Sequence, residues 1–158
     1  MTRRLLAAAA VLMLLAACGG GDDESDAPNV TATTAASSAQ ARADITAMWT
    51  SYFKAGNPVD DAVASLENGA TYRDAIIQQQ QSGATNGLSV VVKDVQLTNE
   101  TLAAVIYDIV INGNVALANS RGNAVFVDGK WKVSEQHFCV LLNLGSINPP
   151  ACEKVLNP

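Results

Sequence analysis

Asp108, His137, a group of aromatic residues and three cysteines are the side chains here whose types could do chemistry. Asp108 interrupts an apolar run, and a carboxylate buried there would have a raised pKa and could act as acid or base. The plainer reading is that it meets solvent or accepts a hydrogen bond from a neighbour. Tyr107 faces the other way on any strand through this region, so the two cannot share a pocket as a dyad. His137 is the only histidine. One histidine two residues from Glu135, with no supporting cluster, does not make a metal site, so no metal is expected and His137 reads as a surface or cap-region residue. Trp49, Tyr52, Phe53 and Tyr72 could line the mouth of a pocket for a small apolar ligand, although Trp49 and Phe53 read more naturally as core. No nucleophile elbow, zinc-protease motif, phosphate loop or dinucleotide fingerprint occurs. No catalytic residue and no cofactor is therefore assigned.

Cys18 carries the most specific chemistry. Arg3 and Arg4 precede an unbroken apolar run from Leu5 to Ala17. That run suits the hydrophobic region of a signal peptide and falls short of the roughly 20 residues that a spanning helix needs. It closes on Leu15-Ala16-Ala17-Cys18, which has the form of a bacterial lipobox: small residues before a cut and a thiol to carry lipid after it. Residues 1–17 are thus expected to be a lipoprotein signal peptide, with the chain exported and lipid-anchored at Cys18 to the outer face of the cell membrane. Residues 18–38 hold three glycines, an acidic cluster and a Thr/Ala/Ser stretch. With almost nothing to bury they are expected to form a disordered tether.

Losing Arg3 and Arg4 with the signal peptide takes the net charge from −5 to −7. An acidic body of that kind disfavours nucleic acid and broad docking to anionic lipid, so membrane attachment rests on the lipid chain. Cys139 and Cys152 remain as an even pair in an oxidising compartment, where a structural disulfide is expected. Two free thiols, or a metal site short of partners, are the alternatives.

Residues 39–158 suit one domain with a single core. Ile45, Met48, Trp49, Tyr52 and Phe53 share one helical face, and Gly56-Asn57-Pro58 ends that helix. A short helix beginning near Asp60 and Asp61 follows, then one from Tyr72 to about Ser82 whose glutamine run reads as a solvated end. From Leu88 the period changes to two. Strands are expected over Leu88–Leu97, Thr101–Asn112, Ala116–Val127 and Lys130–Ser134, with hairpin turns at Asn112-Gly113 and Asp128-Gly129. On the second strand Ala103, Val105, Tyr107, Ile109 and Ile111 share a face, opposite Leu102, Ala104, Ile106, Asp108 and Val110. A helix over Glu135–Leu144, capped by Ser134, closes the pattern. The fold class is α+β, with helices packed on one side of a curved antiparallel sheet of about four strands and a short C-terminal helix.

That order, ending in Val125-Phe126-Val127-Asp128-Gly129-Lys130-Trp131-Lys132-Val133-Ser134, resembles the NTF2-like (cystatin-like) cone superfamily. The lipobox, the acidic tether, the Trp-Lys-Val-Ser strand and Phe138-Cys139 with a later Cys152 are similar to the actinobacterial low-molecular-weight antigen lipoproteins. The resemblance implies a non-catalytic cell-envelope module that binds an envelope protein or a small apolar ligand. It leaves two alternatives: a small-molecule isomerase or hydratase using Asp108, and an extracytoplasmic lipid carrier.

Overall fold

The computed structural model describes residues 30–157. The expected signal peptide, Cys18 and the first part of the expected tether lie outside that range. The remainder is α+β. Three helices, α1 (Val30–Tyr52), α2 (Val59–Ala64) and α3 (Arg73–Gln81), come first, with a 3-10 turn over Gly69–Tyr72 between the last two. Four strands follow, β1 (Leu88–Leu97), β2 (Leu102–Ile111), β3 (Asn114–Val127) and β4 (Lys130–Val133), and then α4 (Glu135–Leu144) and α5 (Pro150–Leu156).

α1 begins at Val30, inside the stretch expected to be disordered. Alanine, the strongest helix former, makes up five of residues 31–41, beside three threonines, two serines and a glutamine, and helps the helix run on toward its N-terminus. Its working face is the expected one. Ile45 and Trp49 are wholly buried, Phe53 nearly so, and Met48 and Tyr52 pack beside them. The helix stops where Gly56 takes a positive φ, and Pro58 starts α2. The Ala55 N–H donates to the Leu88 carbonyl at 2.9 Å, which ties the end of α1 to the start of β1.

The sheet is an antiparallel meander in the order β1-β2-β3-β4. Asn112-Gly113 and Asp128-Gly129 all have positive φ, as two-residue hairpin turns require. On β2 the alternation is the expected one, with Ala103, Val105 and Tyr107 fully buried on the face toward α1. Three register shifts bend the sheet around that helix. One in β1 makes Lys93 an extra residue, and two between β2 and β3 follow Tyr107 and Ile109. The outer edge of β4 is covered by the α2 exit. The Val133 N–H donates to the Ser65 carbonyl, and the Glu67 N–H donates to the Val133 carbonyl, both at 2.9 Å.

α4 follows β4, and α5 is clamped to it by the Cys139–Cys152 disulfide, with Cα atoms 5.3 Å apart. α5 has no counterpart in the sequence expectations. Pro149-Pro150 reads as loop, yet Pro150 occupies a first-turn position where a missing N–H costs nothing. Among the described residues no helix is long and apolar enough to cross a membrane.

Candidate cleft and buried aromatic cluster

The inner face holds a layer of four rings. Trp49 and Phe53 come from α1, Tyr107 from β2 and His137 from the first turn of α4. Trp49 stacks on His137 with ring centroids 5.4 Å apart, and Phe53 stacks on Tyr107 at 5.5 Å. The Tyr107 hydroxyl lies 2.7 Å from His137 Nε2. Ser134 caps α4 by accepting the His137 backbone N–H at 3.2 Å, so the cap sets the direction of the imidazole. His137 is 8 % exposed, and burial lowers its pKa to about 4, so the ring is neutral at physiological pH. The histidine is a cap-region residue as expected, but a buried one rather than a surface one. Helical spacing carried a hint of this, because His137 precedes Leu141 by four and so shares its stripe.

Gly122 on β3 makes room for this layer. A Cβ there would stand 2.7 Å from the His137 ring and from the Trp49 ring. Among the described residues, the Trp49 indole N–H is the one fully buried side-chain polar atom with no hydrogen-bond partner.

Trp49 is therefore core. Tyr72 is core as well and lies away from any pocket mouth, with its ring edge against Phe138. Its hydroxyl donates to Glu135 Oε2 at 3.1 Å, where the Asn68 amide also donates at 3.0 Å. Burial and then the Glu135 carboxylate push its phenol up to about 12. Tyr72 thus clamps the 3-10 turn to the start of α4.

Asp108 sits on the outer face of the sheet, on the far side of β2 from the aromatic layer. The extra residues that bend the sheet explain it. Its Oδ1 accepts the Asn119 N–H at 2.8 Å, an amide released from the ladder by the β3 bulge, where Asn119 has φ +53°. Its Oδ2 meets the ammonium of Lys93, the extra residue of β1, at 3.2 Å. The backbone hydrogen bond from Asn119 and then Lys93 hold its carboxyl below the usual range, outweighing the opposing effect of burial. A raised pKa and a place beside a ligand pocket were the features that would have suited it to acid–base work or binding, and it has neither. It is a bulge cap.

Of the expected aromatic set, Tyr52 and Phe53 line a cavity. A cleft of about 190 Å³ opens where α1 ends, between α3, the β1 start, the β2 end and α4. Phe53, Ile76, Ile109, Phe138, Leu141 and Leu142 form its apolar walls. Lys54, Asn57, Gln79, Gln80 and Thr85 supply polar groups, so the glutamine run is only partly a solvated helix end. Gln80 is committed to the scaffold, because its Nε2 donates to the Asn57 carbonyl at 2.9 Å. The Tyr52 hydroxyl forms no hydrogen bond with any described residue, and burial raises its pKa well above the usual tyrosine value. Among the described residues no group of three His, Cys, Asp or Glu side chains is placed to hold a metal ion.

Comparison with known proteins bears on the domain. No curated protein gives a significant match to the chain. Residues 37–149 match the family described as low molecular weight antigen MTB12, C-terminal domain. That match spans well over half of the chain, including every strand and the whole of the aromatic layer. The chain belongs to the low molecular weight antigen MTB12 family through its C-terminal domain.

Proposed function

We propose that this chain is an exported lipoprotein, anchored through Cys18 to the outer face of the bacterial cell membrane, whose NTF2-like domain binds a small apolar ligand without catalysing a reaction. The observation that carries the ligand reading is the cleft at the end of α1. It has apolar walls from three helices and the sheet, and the hydroxyl of Tyr52, a half-buried lining residue, has no hydrogen-bond partner among the described residues. A pocket that is mostly apolar with a few polar groups is the usual form of a small-molecule site. Membership of an antigen family is in keeping with a non-catalytic role.

The isomerase or hydratase alternative rested on Asp108, whose two carboxylate oxygens are taken up by Asn119 and Lys93 on the opposite face. The lipid-carrier alternative needs a long cavity. An apolar cavity of about 150 Å³ holds one benzene ring, so a cleft of about 190 Å³ is far short of a long acyl chain.

The test uses the mature-length chain, residues 18–158 with Cys18→Ser to keep it soluble. Amide chemical shifts are followed while toluene is added. The expected result is saturable shifts at Ile76, Ile109, Phe138 and Leu141, suppressed by a cleft-filling Ala62→Leu substitution. Shifts that do not saturate, or that persist in the filled variant, would refute the cleft as a ligand site. Anchoring is tested separately in the full precursor, where Cys18→Ser should leave the signal peptide uncut and abolish lipid labelling. A variant still matured and lipid-labelled would defeat that part of the proposal.

A further inference from the structure

We infer that the ligand of this cleft is a small carboxylate: an apolar body about the size of one aromatic ring, bearing an anionic end directed to Tyr52 and Lys54. The inference rests on the ligand reading above and adds the ligand's charge and size.

Charge comes first. The whole chain carries a net −5, with 15 acidic residues against 10 basic. The cleft reverses that balance, since its lining contains no Asp or Glu and its one charged residue is Lys54. Lys54 is exposed and forms no ion pair among the described residues, so its ammonium is uncommitted at the rim. A cationic rim with no carboxylate in the lining favours an anion over a cation at this opening.

Donor chemistry points the same way. Tyr52 lines the cleft, and its hydroxyl, held protonated by burial of the ring, donates to no described residue and so offers a free donor there. Lysine has donors only. Two donors with no acidic acceptor beside them fit an oxyanion, and a hydrogen bond to a charged acceptor is about twice as strong as one to a neutral acceptor. A cationic ligand would find no counter-charge in the lining.

Size sets the body. A volume of about 190 Å³ exceeds the roughly 150 Å³ that holds benzene by about one water-sized group. One ring and a carboxylate fill it. Phe53 and Phe138 on opposing elements offer aromatic surface to such a ring.

Three isosteric probes separate the possibilities: phenylacetate, 2-phenylethanol and 2-phenylethylamine, titrated into the mature-length Cys18→Ser chain by chemical shift and calorimetry. Phenylacetate should bind about five- to tenfold more tightly than 2-phenylethanol, and the amine more weakly than both. Lys54→Gln, an exposed substitution, should remove about two- to fivefold of that preference without changing 2-phenylethanol binding. Raising NaCl from 50 to 500 mM should shrink the same preference in the unaltered chain. Tyr52→Phe should weaken the acid more than the alcohol, and equal loss for both would count against a carboxylate at Tyr52. If alcohol and acid bind equally, or Lys54→Gln leaves the preference intact, the anionic assignment is overturned while the cleft remains a ligand site. If no probe shifts Ile109, Phe138 or Leu142, both the assignment and the ligand reading fall.

Discussion

Mild acid should destabilise this domain through one proton. His137 is buried between Trp49, Phe53 and Tyr107, and its pKa is lowered to about 4, against about 6.5 for a histidine in an unfolded chain. Between those values the unfolded chain binds a proton that the folded chain refuses. Stability is therefore complete above pH 6.5, falls as the pH drops, and stops falling on this account below pH 4. With those two values the loss is about 1 kcal/mol near pH 5.5 and tends to about 3 kcal/mol toward pH 4. Asp108 contributes in a different window. Its folded pKa lies below the ordinary carboxylate value, so the stability it adds is present above about pH 4 and is lost below that. Urea unfolding of the mature-length chain, followed by tryptophan fluorescence from pH 8 to 4.5, measures the slope. His137→Phe should flatten it, at a cost of about 1–3 kcal/mol near neutrality because the Tyr107 hydroxyl loses its partner. Adding Tyr107→Phe should recover part of that cost and leave the profile flat. A wild-type profile without slope between pH 6.5 and 5, or the same slope in His137→Phe, would refute the argument.

Three further outcomes follow from named contacts. Gly122→Ala should cost about 1–3 kcal/mol by crowding the Trp49 and His137 rings, read as a lowered urea midpoint with an unchanged m-value. Cys139→Ser with Cys152→Ser opens a loop spanning 13 residues and should cost about 3 kcal/mol, seen as a fall in Tm that reductant reproduces in the unaltered chain. Asp108→Ala should lower stability, because the Asn119 amide and Lys93 lose their partner. It should leave probe binding in the cleft unchanged; reduced binding would place Asp108 in the site after all.

The parts of the fold legible in the sequence are those with a strict period. β1 and α4 have the expected limits, and the burial of Ala103, Val105 and Tyr107 follows the alternation of β2 residue by residue. The bulges escaped because an extra residue leaves the surrounding alternation looking continuous. Lys93 and Asn119 are polar residues on a solvent face, and only the left-handed conformation of Asn119 marks the bend. The role of Asp108 was hidden for the same reason, since a carboxylate that caps a bulge has no signature until the register is known. α5 escaped because seven residues held by a disulfide need no amphipathic stripe of their own. The cleft was half legible. Tyr52 lay in an aromatic set at helical spacing, but its difference from Trp49 depends on which residue falls at the last turn, beyond the cover of the sheet. Nothing in the glutamine run distinguishes Gln79 and Gln80, which reach the cleft, from their neighbours.

The distribution of satisfied polar groups explains why the proposed ligand site falls at the end of α1. On the sheet's outer face Asp108 is matched by the two bulged strands, and at the start of α4 Glu135 is matched by Tyr72 and Asn68. In the aromatic layer His137 is matched by Tyr107 and by the Ser134 cap. Each of these groups fixes one element against another and leaves no hydrogen-bonding capacity aimed at a cavity. At the end of α1 the pattern differs, because among the described residues the Tyr52 hydroxyl has no hydrogen-bond partner and Lys54 has no counter-ion, and both side chains line the cleft. An acceptor brought in by a ligand would pair with that hydroxyl. The walls around that donor are already held in place, α4 by its cap and its disulfide to α5, and the strand end by the Ala55–Leu88 hydrogen bond. A ligand would therefore meet a preformed site and lose little of its binding energy to ordering the protein.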